Sequence, residues 1–243
     1  MQAVRSQERT WRFPGMVLKG QLEFALIIWA LAAVFTNVTV AVVANFTSIR
    51  ISAWEIAAGV APWFVAFMSG WVTFVLIPMF IANGRTRRDA FIEWAIVAAI
   101  YPIVAAILTA IGYVIEHVVY EVAGWNGQID DNHWFGSRTD VGMILLEFSF
   151  MFLVWTMVGG FVGAALYRSP DLGWFSILPG TILILLSGSL DRSEFWLFGF
   201  VRRAVPEFNV TSLGVAIPLA LVGAAVAFAL AWWVVRDMPL RNR

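Results

Sequence analysis

The feature that most constrains this chain is a series of long apolar stretches that run without interruption. A helix needs about 20 apolar residues to cross a hydrocarbon core about 30 Å thick. Strands are not expected, because the stretches do not alternate and a barrel strand needs only about 10 residues. The sequence therefore predicts an all-α integral membrane protein, one domain of six transmembrane helices, at about residues 22–45, 59–82, 91–116, 141–167, 172–190 and 211–235.

Composition supports the same class of protein. Of the 243 residues, 60% are hydrophobic and only 13% are charged, whereas a soluble domain carries about 25% charged residues. Many of the 13 Trp lie near the ends of apolar stretches, where indole rings favour the membrane–water boundary. The absence of Cys excludes disulfides, thiolate metal sites and Cys nucleophiles.

The distribution of charge predicts the orientation. With six spans, 11 of the 16 Lys and Arg residues fall on the side that holds both termini and the turn at 83–90. The opposite loops are acidic, with Glu116, Glu121, Asp130, Asp131 and Asp140 in or beside the loop at 117–140. Because cytoplasmic loops carry the excess of Lys and Arg, we predict a multi-pass protein with both termini in the cytoplasm.

Two further segments are predicted to lie at the membrane surface. Residues 1–20 mix Arg with Trp11 and Phe13, which favours a cytoplasmic interfacial segment, and Pro14-Gly15 is expected to interrupt any helix there. Residues 191–210 are apolar and then basic but too short to span, so they favour a re-entrant or interfacial outer hairpin; an aromatic-rich linker is the alternative. Its marker residues are Phe195, Trp196, Phe198, Arg202 and Arg203.

The most specific short segment joins the second and third spans and reads Asn83-Gly84-Arg85-Thr86-Arg87-Arg88-Asp89-Ala90-Phe91. Part of its positive charge is expected of any cytoplasmic turn, whatever its function. Its pattern, together with chain length, span count and orientation, resembles permease subunits of type-2 ABC exporters, notably actinobacterial ones. The chain departs from that family in its short N-terminal segment, which contains Pro14-Gly15, and in a long outer loop at 117–140.

The resemblance implies a function and a set of partners. It implies a short coupling helix that contacts a separate P-loop ATPase, a second permease chain in a homodimer or with a close relative, and location in the inner (plasma) membrane. The chain has no P-loop motif of its own, so ATP and Mg would bind the partner, this chain would bind no cofactor, and it would not itself be an enzyme. Membrane lipid is expected to surround the chain, and nucleic acid is not expected as a partner. An apolar interface rich in Phe and Trp favours a hydrophobic or amphipathic substrate. The ATPase-contacting residues would be Gly84, Arg85, Thr86, Arg87, Arg88 and Asp89.

Charged residues inside the spans give further hypotheses. Glu147 lies roughly 10 Å from the outer end of its span, where a charge costs about 2.5–3.5 kcal/mol. It either forms a polar site that lines a pathway or pairs with an Arg of the outer loops, or it is a protonated or helix-bonded residue. Near the cytoplasmic ends, Glu23 and Glu93 are expected to pair with Lys19 or with the arginines at 87 and 88.

Other patterns in the spans and outer loop carry weaker hypotheses. Pro78, Pro102, Pro179 and Pro218 are expected to bend four spans, and the small residues at 159–164 favour close helix packing. His117 and His133 lie in or beside the acidic outer loop, and imidazole with carboxylate suits a divalent metal. Their irregular spacing favours solvated loop residues instead, so no metal site is assigned.

Two other classes of function remain open on the sequence. One is a non-transporting membrane sensor or assembly partner, which would purify without an ATPase. The other is an ATP-independent secondary transporter, which predicts paired charges near the bilayer midplane and internal repeats.

Overall fold

A computed structural model of the protein describes residues 2–129, 133–186 and 213–239. The described residues are almost entirely helical and contain no strand, only an isolated bridge between Ile51 and Gln128. The helices are α1 (Gln2–Val43), α2 (Ala53–Ala82), α3 (Arg87–Ala123), α4 (Val141–Arg168), α5 (Pro170–Leu186) and α6 (Leu213–Arg236).

Five of these helices are long and apolar enough to cross a membrane, which is the architecture of a multi-pass membrane protein. The exception is α5, whose 17 residues extend about 26 Å at 1.5 Å per residue. It coincides with the predicted span at 172–190 as far as Leu186, and the remainder of that span lies outside the described residues. The all-α membrane class is therefore confirmed, whereas the sixth span and the outer hairpin stay predictions.

The helices alternate in direction between two ends of the bundle. The basic end is the one at which residues 83–86 join α2 to α3, and Arg87 there contacts Met238 just after α6. The loop end is the opposite one, at which residues 44–52 join α1 to α2 and residues 124–140 join α3 to α4. Both α1 and α5 begin at or beyond the basic end.

The core is organised around α4, which packs against α2, α3, α5 and α6. Large side chains along it are almost fully buried, among them Phe148, Phe152 and Trp155. Further along, Gly159 and Gly163 lie directly against the backbone of α2 at Ala66 and Gly70. The close helix approach predicted from these small residues is therefore present.

A methyl group at Gly159 is expected to separate α4 from α2. The Cβ of an alanine there would overlap the Ala66 carbonyl, so Gly159→Ala should lower the free energy of unfolding by about 1–3 kcal/mol. Gly142→Ala is the matched control on the same helix, because its Cβ would meet nothing within 4 Å. Unfolding in mixed detergent micelles measures both, and equal stability of the two variants would contradict the close packing.

Within α2, residues Val72–Leu76 form a π-helical segment rather than an α-helical one. The amide of Ile77 donates to the carbonyl of Val72, five residues back. The next residue is Pro78, which has no N–H to donate and whose ring collides with the carbonyl four residues before it in a regular helix. The wider turn accommodates the proline, and Thr73 there donates from its hydroxyl to the Gly160 carbonyl of α4 over 2.8 Å.

Helix α1 is the most loosely packed of the spanning helices. Only 11% of the most apolar stretch of α1 is buried, against 50% for the corresponding stretch of α2. Two apolar cavities of about 490 and 510 Å³ follow the seam between α1 and α2. The first is lined by Trp29, Phe35 and Phe64 among others, and the second by Phe24 and Trp71. Most of the apolar part of α1, between Gly15 and Val43, thus faces outward.

Helix boundaries differ from the prediction at three places. The break expected at Pro14-Gly15 is wrong, because α1 continues through it; helices in membranes tolerate the one backbone bond that proline removes. Helix α2 begins at Ala53 rather than near 59, because Ser52 caps it by accepting a hydrogen bond from the Glu55 amide over 3.2 Å. Helix α3 extends past the predicted 91–116 at both ends and stops at Gly124, whose positive φ of 68° terminates it.

Candidate functional site

The loop end is covered by the described residues of the α3–α4 connection, 124–129 and 133–140, which contact the helix ends. The Ser52 amide donates to the Gln128 carbonyl over 3.0 Å, and the Gln128 amide donates to the Arg50 carbonyl over 2.9 Å. Further along the loop, Phe135 is buried against Tyr113 of α3, with ring centroids 5.2 Å apart. These parts of the loop are therefore packed against the helices and are not a solvent-exposed loop.

A buried histidine joins this loop to two helices. His133 Nδ1 lies 2.7 Å from Glu147 Oε1 of α4, and its Nε2 lies 3.1 Å from Glu55 Oε1 of α2. The side chains of Glu55, His133 and Glu147 are 7%, 6% and 0% exposed. Glu147 also accepts from the Trp134 amide over 2.7 Å. These three residues are hereafter the His133 cluster.

The electrostatics of the His133 cluster favour the charged imidazole. Burial alone would lower the pKa of His133, but hydrogen bonds to Glu147 and Glu55 and the attraction of both carboxylates outweigh it and raise the pKa to about 9. The ring also stacks on Phe135, with centroids 4.6 Å apart and planes 24° from parallel. Near pH 7 the cluster is therefore held together by a protonated histidine.

A second buried carboxylate braces the same end of the bundle. Glu116 of α3 accepts hydrogen bonds from the Ser52 hydroxyl over 2.6 Å, the Trp54 amide over 2.9 Å and Arg138 Nε over 2.8 Å. Because Trp54 is in the first turn of α2, Glu116 satisfies a backbone donor that the helix itself leaves free. The Arg138 guanidinium lies 4.8 Å from the centre of the Tyr120 ring. We call Ser52, Glu116 and Arg138 the Glu116 cluster.

The two histidines differ from each other in their surroundings. The interpretation of His133 as a solvated loop residue is wrong, because carboxylates from two helices surround it. His117 is partly exposed and lies 3.4 Å from Glu121. Within residues 2–129, 133–186 and 213–239, no group of three or more His, Cys, Asp or Glu side chains is arranged to hold a metal ion.

Glu147 is buried more completely than either sequence-based hypothesis requires. It lines neither of the two apolar cavities, and its partners include His133 and the Trp134 amide. It therefore joins α4 to the loop, which is a polar intramembrane site of a kind that the sequence did not specify. That a transport pathway passes beside Glu147 stays a prediction.

At the basic end, the turn predicted to contact an ATPase has a compact conformation. Gly84 adopts a positive φ of 87°, which glycine reaches without strain. Thr86 then caps α3 by accepting from the Asp89 amide over 3.1 Å. Residues 84–86 form a tight turn, and 87–89 are the first turn of α3 itself. The separate short helix that the resemblance implies is thus absent from this segment. Residues 84–89 are hereafter the basic turn.

The arginines of the basic turn have three different roles. Arg85 forms an ion pair with Glu93, with Nη2 and Oε1 3.2 Å apart. Arg87 donates from Nε and Nη2 to the Met238 carbonyl over 3.3 and 3.1 Å, which ties the turn to the end of α6. Arg88 is exposed and makes no hydrogen bond or ion pair with another described residue. It is therefore the arginine most available to a partner.

The predicted pairs of Glu23 and Glu93 have separate outcomes. Lys19 and Glu23 form the expected pair, 3.7 Å apart on the exposed surface of α1. The partner predicted for Glu93 is wrong, since Arg85 takes the place expected of Arg87 or Arg88. The reason is that Arg87 is engaged by the Met238 carbonyl and Arg88 is exposed, whereas Arg85 precedes α3 and reaches Glu93. The outer-hairpin residues Phe195, Trp196, Phe198, Arg202 and Arg203 lie outside the described residues.

Sequence reasoning missed Glu55 and Arg138, and only one of them left a local signal. The spacing Ser52-x-x-Glu55 is a capping box and predicts a helix start at that point. It would have moved Glu55 from a loop into α2. Arg138 lies in a polar loop whose composition does not distinguish a buried arginine from a solvated one, so no signal in the sequence indicated its pairing with Glu116.

Comparisons with known proteins identify no relative of this chain: no family model, curated protein or solved structure matches it.

Proposed function

We propose that this chain is the permease subunit of an ATP-driven exporter whose ATP is hydrolysed on a separate P-loop subunit. The observation that carries the proposal is the basic turn, which is exposed at the end of the bundle and anchored to two helices. Arg88 is available to a partner, and an acidic groove would bind its guanidinium in bidentate fashion. In this proposal both termini are cytoplasmic and the chain lies in the plasma membrane.

The anchoring of the basic turn supports a mechanical role. Arg85 ties the turn to Glu93, which lies further along α3, and Arg87 ties it to Met238 after α6. A displacement of the turn is therefore transmitted to both helices rather than absorbed by a loop. Helix α3 is continuous for 37 residues, about 55 Å, and near its far end Glu116 contacts both α2 and Arg138. Movement at the basic end thus has a route to the loop end.

The remaining parts of the proposal complete the transporter. In this proposal the predicted span at 172–190 is the fifth of six, and the predicted outer hairpin at 191–210, which lies outside the described residues, precedes α6. A second copy or a close relative supplies the other half of the pathway, because symmetric assemblies place such routes at their interface. The substrate class is hydrophobic or amphipathic, in keeping with the apolar outward surface of α1 and the two cavities beside α2.

The test is co-purification from the native membrane. The tagged chain is extracted in mild detergent, and accompanying proteins are identified and quantified by mass spectrometry. We expect a stoichiometric P-loop ATPase, and we expect Arg87→Glu with Arg88→Glu to reduce its recovery by at least tenfold, because charge reversal replaces attraction with repulsion at the contact. Arg50→Glu is the matched control, since it reverses an exposed charge at the opposite end.

The outcomes separate the proposal from its rivals. An ATPase that is retained by the double reversal and by the control alike would place the contact elsewhere. Recovery of the chain with no ATPase, from membranes whose other complexes stay intact, would overturn the permease proposal. That result would favour a non-transporting sensor or assembly partner.

A further inference from the structure

The His133 cluster contains one more proton than a neutral imidazole and two carboxylates carry. Both ring nitrogens of His133 face carboxylate oxygens, at 2.7 Å and 3.1 Å, and each contact needs a proton between nitrogen and oxygen. A neutral imidazole carries only one N–H. Glu147 already accepts through both oxygens, from His133 and from the Trp134 amide. The additional proton therefore lies between His133 Nε2 and Glu55.

We propose that the His133 cluster is a proton-binding site that holds residues 133–140 against α2 and α4, and that opening of the loop end releases this proton. When His133 Nε2 loses its proton to water, a nitrogen lone pair faces the Glu55 carboxylate, and the contact changes from attraction to repulsion. The loop then has no attachment to α2 through His133. The Trp134 amide and the Nδ1 proton still bind Glu147, so the loop swings from α2 while it remains on α4.

The groups around the imidazole are those of three helices and the loop itself. Glu55 faces it from α2 and Glu147 from α4. Helix α3 contributes Tyr113, whose ring packs on Phe135, and the charge of its buried Glu116 is balanced by Arg138 at 2.8 Å. No Lys or Arg among the described residues bonds to the imidazole.

The direction of the pH dependence follows from the two states of the loop. In the closed state the pKa of His133 is about 9, and in an open, hydrated state it returns to about 6.5. A group whose pKa is raised in the closed state stabilises that state fully below pH 6.5, and the contribution disappears as pH rises through 9. Across this window the closed-to-open ratio falls by a few hundred-fold, about tenfold per pH unit. Near pH 7 the closed state is almost fully protonated and the open state about one-quarter protonated, so each opening releases about three-quarters of a proton.

This site is independent of the proposed ATPase partner, because it lies at the opposite end of the bundle. It would act in the same way in a sensor or in a transporter. A test on the purified full-length chain in lipid nanodiscs therefore bears on the proton site alone, whatever the result of the co-purification.

Two measurements on the same preparation test the proposal. The chain has only two His, so isotope-labelled histidine gives two sets of ring resonances, and His117→Asn assigns them. The chain has no Cys, so spin labels can be placed at Phe46→Cys, which is 85% exposed, and Gly136→Cys, which has open space around it. Electron paramagnetic resonance then measures the distance between loop and α1–α2 link from pH 6 to pH 10.

We expect the His133 ring to lose its proton near pH 9 and the spin-label distance to lengthen over the same pH range. Glu55→Gln is the decisive variant, because the glutamine amide donates to Nε2 of a neutral imidazole and keeps the contact without the additional proton. In this variant the pKa of His133 should fall toward 6.5 and the loop should stay closed up to pH 10. Glu121→Gln, beside the exposed His117, should leave the opening of the loop unchanged.

Two results would overturn the proposal. One is a His133 ring whose protonation does not change between pH 7 and pH 10 in the unmodified chain. The other is a loop that opens at the same pH in Glu55→Gln as in the unmodified chain, which would show that the shared proton does not hold it.

Discussion

Replacing Glu147 with alanine is expected to lower the free energy of unfolding by about 3–5 kcal/mol, the cost of removing one partner of a buried ion pair. The substitution removes the acceptor of two hydrogen bonds, from His133 and from the Trp134 amide. It also leaves a buried imidazole with one carboxylate instead of two. Because Glu147 is fully buried, water cannot replace the lost oxygens without opening the loop end.

The measurement is reversible unfolding of the full chain in mixed micelles, followed by circular dichroism. Glu121→Ala is the matched control: it removes a glutamate paired with the other histidine, but at 69% exposure, so its effect should be below about 1 kcal/mol. A double-mutant cycle with His133→Ala isolates the coupling between the two residues. A loss for Glu147→Ala as small as that of the control would mean that the cluster does not stabilise the fold.

Replacing Arg138 with methionine is expected to have an effect of similar size, about 3–5 kcal/mol, because it leaves the Glu116 carboxylate buried without its cation. Methionine keeps much of the side-chain volume, so lost packing contributes little. The cation–π contact with Tyr120 is also lost, at about 0.5–1 kcal/mol or somewhat more when desolvated. The same unfolding experiment measures the effect, and limited proteolysis of residues 124–140 reports whether the loop detaches.

Neutralising the carboxylate should rescue part of this loss. Glu116→Gln in the Arg138→Met background removes the unpaired charge, while the amide oxygen still accepts from Ser52 or the Trp54 amide. The double variant should therefore be more stable than Arg138→Met alone. Arg50→Met, an exposed arginine at the same end, serves as the control. If the double variant is less stable than the single one, the Glu116–Arg138 charge pair is not the source of the effect.

The helical architecture was predictable because hydropathy is a local property of the chain. Each apolar stretch identifies its helix without knowledge of any other, and the start of α4 at Val141 matches the prediction. Boundaries outside the apolar stretches depend on caps instead. The beginning of α2 is determined by Ser52 and the end of α3 by Gly124, polar or flexible residues that hydropathy assigns to loops. The π-helical segment before Pro78 had no signal beyond the proline itself.

The candidate site was far less predictable, because its partners are distant in sequence. Glu55 and His133 are 78 residues apart, and Ser52 and Glu116 are 64 apart. A single sequence shows that Glu147 needs a partner, but the choice among the polar residues of the loop depends on how the loop folds. His133 was misinterpreted because polar neighbours indicate solvent exposure on average, and only the three-dimensional arrangement places carboxylates on both sides of its ring.

The basic turn is an intermediate case. Its sequence predicted an exposed, positively charged segment between the second and third helices, and its position and exposure agree with that. The separate short helix that the resemblance implies is absent from it, because Thr86 caps α3 and residues 87–89 form the first turn of that helix. The contact with an ATPase stays a prediction that only a partner can test.

The central position of α4 has a consequence for biosynthesis. Helices α2 and α3 emerge from the ribosome first, yet the surface on which both pack is supplied by residues 141–168. Until that segment has entered the bilayer, His133 and the Trp134 amide lack Glu147, so the imidazole that faces Glu55 is not yet held against α4. A nascent chain arrested before residue 141 should therefore expose degradation signals that a chain arrested after residue 168 conceals. Quality control of this protein would act on the middle of synthesis rather than on its end.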